Sequence, residues 1–265
     1  EIKAAELFKQ AAVLGFPPAQ CILGYCYEMG QGVSEDLSEA IHWYTISANN
    51  GDDVGQCNLA YCYEVGRGVE KDFEEAVKWY QASAKQGYAR ALCNLGHCYE
   101  YGIGIEKDYQ KAFDYYTKAA EKNFTPAKWC IGACYEFGIH VNPDPEKSFE
   151  WYLKAAEDGY DRAQFNVAYC YEFGEGIEQN IDAAIEWYVA ASNQDYAPAL
   201  CNLAYCYENG SGVEKDIQKA NELYERAAYQ GYPRAMYNLA YNYENAIGLE
   251  ENIERAVTLY HQAAE

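Results

Sequence analysis

Eleven cysteines and four histidines are the side chains with most chemistry to offer in this 265-residue sequence, as nucleophiles, metal ligands or general bases. Their spacing argues against all three roles. Cys21 and Cys26, like Cys57 and Cys62, stand five apart and point in different directions from one helix, which suits neither a disulfide nor a zinc site. Cys93 and His97 are four apart, but no second pair completes a ligand set. His42, His97, His140 and His261 are scattered, and no His-Glu-x-x-His, Walker-type or Gly-x-Ser-x-Gly motif occurs. The expectation is a chain without catalytic residues, metal or cofactor.

Binding chemistry is better represented. Asn58, Asn94, Asn166, Asn202 and Asn238 recur in one register, with Ile22 and Cys130 in the two remaining places. An amide side chain donates and accepts at once, which suits the backbone of an extended peptide. Arg90, Arg162 and Arg234 stand four residues before Asn94, Asn166 and Asn238, on the same helical face, where an Arg with an Asn would clamp a carbonyl or carboxylate. The alternative is that the asparagines bond within the array. Glu28, Glu64, Glu100, Glu136, Glu172, Glu208 and Glu244 make an unbroken acidic column. It reads either as a lure for Lys- and Arg-rich segments or, with more weight, as a packing residue bonded to loop amides or a neighbouring Arg.

Charge narrows the partner class. The formal net charge is −21, which repels phosphate backbones and anionic membranes. The apolar stretches are broken well short of the roughly 20 residues that a membrane span needs. Nucleic acid and membrane insertion are therefore not expected. The chain opens on Glu1 without an initiator Met or a basic-then-apolar leader, and reads as a processed product or a piece of something longer.

The elements that position these residues follow from a 36-residue period. Cys26, Cys62, Cys98, Cys134, Cys170 and Cys206 recur at that spacing, as do Tyr-Cys-Tyr-Glu at Tyr25–Glu28, Tyr61–Glu64, Tyr169–Glu172 and Tyr205–Glu208, and Trp43-Tyr44, Trp79-Tyr80, Trp151-Tyr152 and Trp187-Tyr188. Within one copy, residues 19, 23, 26, 27 and 30 share a helical face, and so do 40, 44, 47 and 48. Each copy is a helical hairpin. Helix A spans about 18 to 29 and stops at Gly30, a left-handed C-cap. Helix B starts at Asp36, with Glu39 completing a capping box; Asp72 with Glu75 repeats this, and Asp144-Pro145 adds a proline at the first helical position. Helix B ends at the Gly51 column, where Asn123 and Asp195 are the substitutes that best tolerate positive φ. Small residues fill the Ala19 and Gly24 columns, where backbones approach. A hairpin this short cannot bury its own apolar face, so copies must stack into a solenoid, expected as a right-handed superhelix.

The pattern Ala-x-x-x-Leu-Gly-x-x-Tyr-x-x-Gly-x-Gly-Val-x-x-Asp-x-x-x-Ala-x-x-Trp-Tyr-x-x-(Ser/Ala)-Ala-x-x-Gly, as at Ala19 to Gly51, resembles the Sel-1-like repeat, a relative of the tetratricopeptide repeat. The resemblance covers essentially the whole chain. It implies an all-α, α/α superhelical solenoid forming one array: a half repeat at 1–15, then repeats at 16–51, 52–87, 88–123, 124–159, 160–195, 196–231 and 232–265. It also implies a non-catalytic adaptor or scaffold that binds protein segments. Some relatives have been called β-lactamase-like, but no Ser-x-x-Lys is present. The cysteine-bridged secreted relatives carry a helix-B cysteine where this chain has Ala48, Ala84 and Ala120; reduced thiols and a cytoplasmic setting are expected. The endoplasmic reticulum lumen is the alternative, with sequons at Asn123 and Asn209.

Alignment with tetratricopeptide helices turns the columns of residues 18, 21, 22, 25, 28 and 29 toward a concave groove. The asparagine column is then similar to the one by which tetratricopeptide domains hold a peptide. The expected groove is built from Asn58, Asn94, Asn166, Asn202 and Asn238, with Arg90, Arg162 and Arg234 as anchors. Tyr61, Tyr169, Tyr205, Trp129 and Phe165 supply contact area, and Phe137 and Phe173 thicken the centre; the alternative is that the 21 and 25 columns pack between adjacent A helices, with Trp129 and Phe165 doing both. Cys21, Cys57, Cys93 and Cys201 fall in the groove-facing 21 column, whereas the 26-column thiols are inert packing. The second reading is a spacer or oligomerisation module of a larger protein, self-associating through uncapped ends.

Overall fold

The computed structural model describes residues 1–264, and every regular element among them is an α-helix. The chain gathers into two compact units, Glu1–Ala127 and Lys128–Glu265. The first holds α1 (Ile2–Val13), α2 (Pro17–Met29), α3 (Leu37–Asn49), α4 (Asp53–Val65), α5 (Phe73–Lys85), α6 (Ala89–Tyr101) and α7 (Tyr109–Glu121). The boundary falls in the first turn of α8 (Thr125–Phe137). The second unit continues with α9 (Pro145–Glu157), α10 (Asp161–Phe173), α11 (Ile181–Ser192), α12 (Ala197–Asn209), α13 (Ile217–Tyr229), α14 (Pro233–Glu244) and α15 (Ile253–Ala264). Even-numbered helices are the A helices and odd-numbered the B helices. In each unit they pack consecutively as hairpins, the expected α/α solenoid class.

Local chemistry sets the boundaries. Gly30 caps α2 at φ 64° and Gly66 caps α4 at φ 75°, the left-handed geometry in which the cap amides reach back to open carbonyls. Asp36 accepts from the amides of Ser38 and Glu39 at 3.0 and 3.1 Å. Asp72, Asp108, Asp144 and Asp216 accept from the amide three residues on, and Asn180 does the same for α11. The reciprocal half of the expected capping box is replaced. The Asp36 amide donates to the Tyr27 carbonyl at 3.0 Å, because the A–B loop folds back over the last turn of α2. Glu39 is left to accept from the Trp43 indole at 3.2 Å. Likewise Asp72 donates its amide to Tyr63, and Glu75 pairs with Lys78.

The cores are built from repeated positions. Leu23, Leu59 and Leu95 and the ring of Tyr44, Tyr80 and Tyr116 are fully buried in the first unit; Tyr152, Tyr188, Tyr224, Ile131, Val167 and Leu239 are their counterparts in the second. Burying one such leucine contributes about 1.5–3 kcal/mol. The close approach of A and B helices depends on the Gly24 column: a Cβ on Gly24 would lie 2.7 Å from the Tyr44 ring.

Buried amides join one repeat to the next. Gln20 donates to the Ala12 carbonyl, and Gln56 to Ala48, both at 3.1 Å; each accepts in turn at 2.9 Å, from Asn50 and Gln86. Gln164 does the same in the second unit, with Ala156 and Gln194. Each Gln adds a second donor to a carbonyl in the last turn of a B helix, which already accepts from the amide of Gly15, Gly51 or Gly159.

Candidate functional site

The acidic column is built into the fold. Tyr44 Oη donates to Glu28 Oε2 at 2.6 Å, and Tyr80 to Glu64 and Tyr116 to Glu100 at the same distance. In the second unit Tyr152 meets Glu136 and Tyr188 meets Glu172 at 2.5 Å, Tyr224 meets Glu208 at 3.1 Å, and Tyr260 meets Glu244 at 2.8 Å. The column therefore ties helix A to helix B of its own hairpin, with a tyrosine as partner where loop amides or an Arg were expected. Arg does take part once, Arg67 Nε lying 3.2 Å from Glu28 Oε1. Burial, followed by the facing carboxylate, pushes the Tyr44 and Tyr152 hydroxyls far above the usual tyrosine value.

The asparagines face the preceding repeat. Asn58 donates to Cys21 Sγ at 3.5 Å and Asn238 approaches Cys201 Sγ at 4.0 Å. Asn202 donates to the Tyr188 hydroxyl at 3.0 Å, and Asn94 favours the ionised form of the Tyr80 hydroxyl. Asn166 accepts from the Trp129 indole at 2.9 Å. All five remain half-buried, with an edge toward solvent. The arginines also lean backward: Arg90 lies over the Tyr61 ring at 5.7 Å, Arg162 over Trp129 at 5.8 Å, and Arg234 donates to Asn202 at 3.2 Å. These contacts join each Arg to the repeat before it.

The 21 column follows the packing alternative. Cys21, Cys57, Cys93 and Cys201 are buried, packed where successive A helices meet. Trp129 and Phe165 are half-buried in the same layer, Phe165 against the rings of Tyr188 and Tyr196. The exposed face is instead made by the 25 and 29 columns. In the first unit these place Tyr25, Met29, Tyr61, Val65 and Tyr101 at the surface; in the second, Phe137, Tyr169, Phe173, Tyr205 and Tyr241. Tyr169 packs on Phe173 with centroids 4.5 Å apart, and His97 on Tyr101 likewise. Cys93 is buried while His97 is exposed, so the two do not converge. Among the described residues no three His, Cys, Asp or Glu side chains are placed to hold a metal, and no helix is long and apolar enough to cross a membrane.

Comparison with known proteins gives the family. The model of the Sel1 repeat matches residues 1–16, 17–52, 54–88, 89–124, 128–160, 161–196, 197–232 and 233–265. The chain belongs to the Sel1 repeat family. A Sel1 repeat protein from Oxalobacter formigenes is 30% identical over 93% of this chain and 97% of its own, with a TM-score of 0.81. The protective antigen c5321 of uropathogenic Escherichia coli, which displays an SLR fold, is 33% identical over the whole chain, with a TM-score of 0.75. This Sel1 array spans 57% of that antigen. Yeast Tom70, 15% identical with a TM-score of 0.57, shares the fold alone. A search of curated proteins finds no match. Sel1 repeat proteins generally mediate protein–protein interaction, and the family is typically non-catalytic.

Two sets of residues escaped the sequence reading. The Tyr44 column was legible as core, but its bond to a glutamate sixteen residues upstream was not. The buried Gln20 and Gln56 recur 36 apart, and that spacing was the available signal.

Proposed function

We propose that this Sel1 array is a non-catalytic scaffold that binds extended protein segments along the A-helix face, over the asparagine and tyrosine columns, in either unit. The observation carrying this reading is the ladder of exposed rings: Tyr169, Tyr205 and Tyr241 are 38–48% exposed, one per repeat. Tyrosine supplies rigid, amphipathic contact area at low entropic cost. Beside it, half-buried Asn166, Asn202 and Asn238 offer polar edges to a peptide backbone, and the net charge of −21 favours segments with basic residues.

The test is selection of peptides from a random library on the intact array, followed by titration of the selected peptide against wild type and the Tyr169→Ala/Tyr205→Ala variant. An affinity loss of about tenfold or more is expected. Unchanged affinity in a variant with unchanged circular dichroism would exclude this face.

A further inference from the structure

Two cations that the first unit supplies to its own A-helix face, Arg67 and Arg90, are replaced at the register three repeats along in the second. In the first unit Arg67 sits 3.2 Å from Glu28 Oε1, while Glu28 Oε2 takes the Tyr44 hydrogen. Arg90 covers the ring of Tyr61 at 5.7 Å. Moved three repeats along, Glu28 becomes Glu136, Tyr44 becomes Tyr152 and Tyr61 becomes Tyr169, but Arg67 becomes Glu175 and Arg90 becomes Pro198.

A cavity of about 100 Å³ lies at that register in the second unit, lined by Glu136, Ser148, Tyr152, Asn166, Tyr169 and Glu175 among others. It has room for more than one water molecule, the scale of a guanidinium head. Glu136 Oε2 accepts from Tyr152 at 2.5 Å, so its Oε1 is the counterpart of the oxygen that Arg67 binds in the first unit. Neither Glu136 nor Glu175 forms an ion pair among the described residues. Burial, then Glu175, Glu172 and Glu136, hold the Tyr169 hydroxyl above its usual value, so both cavity carboxylates act on that ring. Asn166 Oδ1 accepts from the Trp129 indole, which leaves its amide hydrogens for an incoming carbonyl.

We propose that this cavity is a specificity pocket for an arginine side chain of the bound segment, whose guanidinium takes the place against Glu136 that Arg67 takes against Glu28. Glu175 supplies the second carboxylate, and Tyr169 supplies an aromatic wall that favours a stacked guanidinium over an ammonium. The chemistry is a planar cation bridging two acceptors that otherwise repel each other. The proposal rests on the segment-binding reading above and adds its residue preference.

The test uses the full isotope-labelled chain with two probes, Nα-acetyl-arginine amide and its neutral isostere Nα-acetyl-citrulline amide, read by NMR at the Asn166 side-chain amide. The arginine probe is expected to bind about tenfold or more tightly than the citrulline probe. Glu175→Arg, which copies the first unit and fills its own cavity, is expected to abolish that difference; Glu175→Gln is expected to reduce it. Equal response to both probes, or a preference that survives Glu175→Arg in a variant with wild-type circular dichroism, overturns the pocket. If library selection yields no segment while the arginine probe still binds, segment binding fails and the pocket stands. If segments bind but replacing their arginines by citrulline leaves affinity unchanged, the pocket fails and segment binding stands.

Discussion

Tyr188 donates its phenolic hydrogen to Glu172 at 2.5 Å, across the two helices of one hairpin. The same hydroxyl accepts from Asn202 of the next repeat at 3.0 Å. One buried oxygen thus fastens helix A to helix B and one repeat to the next.

Removing that oxygen has a defined cost. Tyr188→Phe keeps the ring but leaves Glu172 and Asn202 each short of a partner, and is expected to destabilise the second unit by about 1–3 kcal/mol. Urea unfolding followed by circular dichroism measures it. A change under about 0.3 kcal/mol would show that water replaces the tyrosine at both partners.

Alkaline pH should unfold the chain in two stages. Burial raises the Cys62 and Cys206 thiols from 9.0 to about 12 and lifts the Tyr80 and Tyr188 hydroxyls well above 10.0. Groups with a raised folded pKa keep their protons in the native state and lose them first when unfolded. Their stabilisation is complete below the unfolded values and declines as pH rises past them, first near 9 for the thiols and then more steeply beyond 10 for the tyrosines. Melting temperatures should be flat between about pH 5 and 8 and fall above it, apart from a separate fall on the acid side of about 4, where the capping carboxyls of Asp36, Asp108 and Asp144, held below their usual value by the hydrogen bonds they accept, take up protons; a fall between about pH 5 and 8 as steep as that above 8 would contradict this assignment.

Thiol titration should divide the cysteines unequally. Ten are buried and Cys130 is intermediate, so a thiol-reactive chromophore at pH 8 should modify Cys130 first and the other ten only in denaturant. Rapid reaction of several thiols in the native protein would contradict the packing of the 21 column between A helices.

Two glycines that both hold positive φ should respond differently to alanine. Gly159 has φ 89° with nothing within 4 Å of an added Cβ, whereas Gly176 has φ 72° and its Cβ would fall on the Pro145 carbonyl. Gly159→Ala carries only the conformational penalty of about 1–2 kcal/mol, and Gly159→Asn less, as Asn123 at φ 59° in the same column indicates. Gly176→Ala adds a backbone clash between repeats and should cost more than 3 kcal/mol. Equal melting temperatures for the two alanine variants would remove the inter-repeat contact from the account.

Whatever depends on neighbours within a few residues was legible in the sequence. The hairpin period, the left-handed stops at Gly30 and at Asn123, and the aspartate caps at Asp36 and Asp144 follow from backbone sterics and from amides that a helix start leaves open. Where loop and helix compete for the same amide, local rules stopped short: the Glu39 capping box gave way to the Tyr27 carbonyl. Exposure of the site columns lay further from reach. Cys57 and Tyr61 are four apart on one helix, yet one is buried between helices and the other faces solvent, because the angle at which successive A helices pack decides which stripe is covered. Partners sixteen, twenty-nine or thirty-nine residues apart, such as Tyr188 with Glu172, Arg90 with Tyr61 and Arg67 with Glu28, depend on that same packing. The sequence by itself determined the hairpins and their stacking; only the tertiary structure decided which side chains the stacking consumes and which it leaves to a partner.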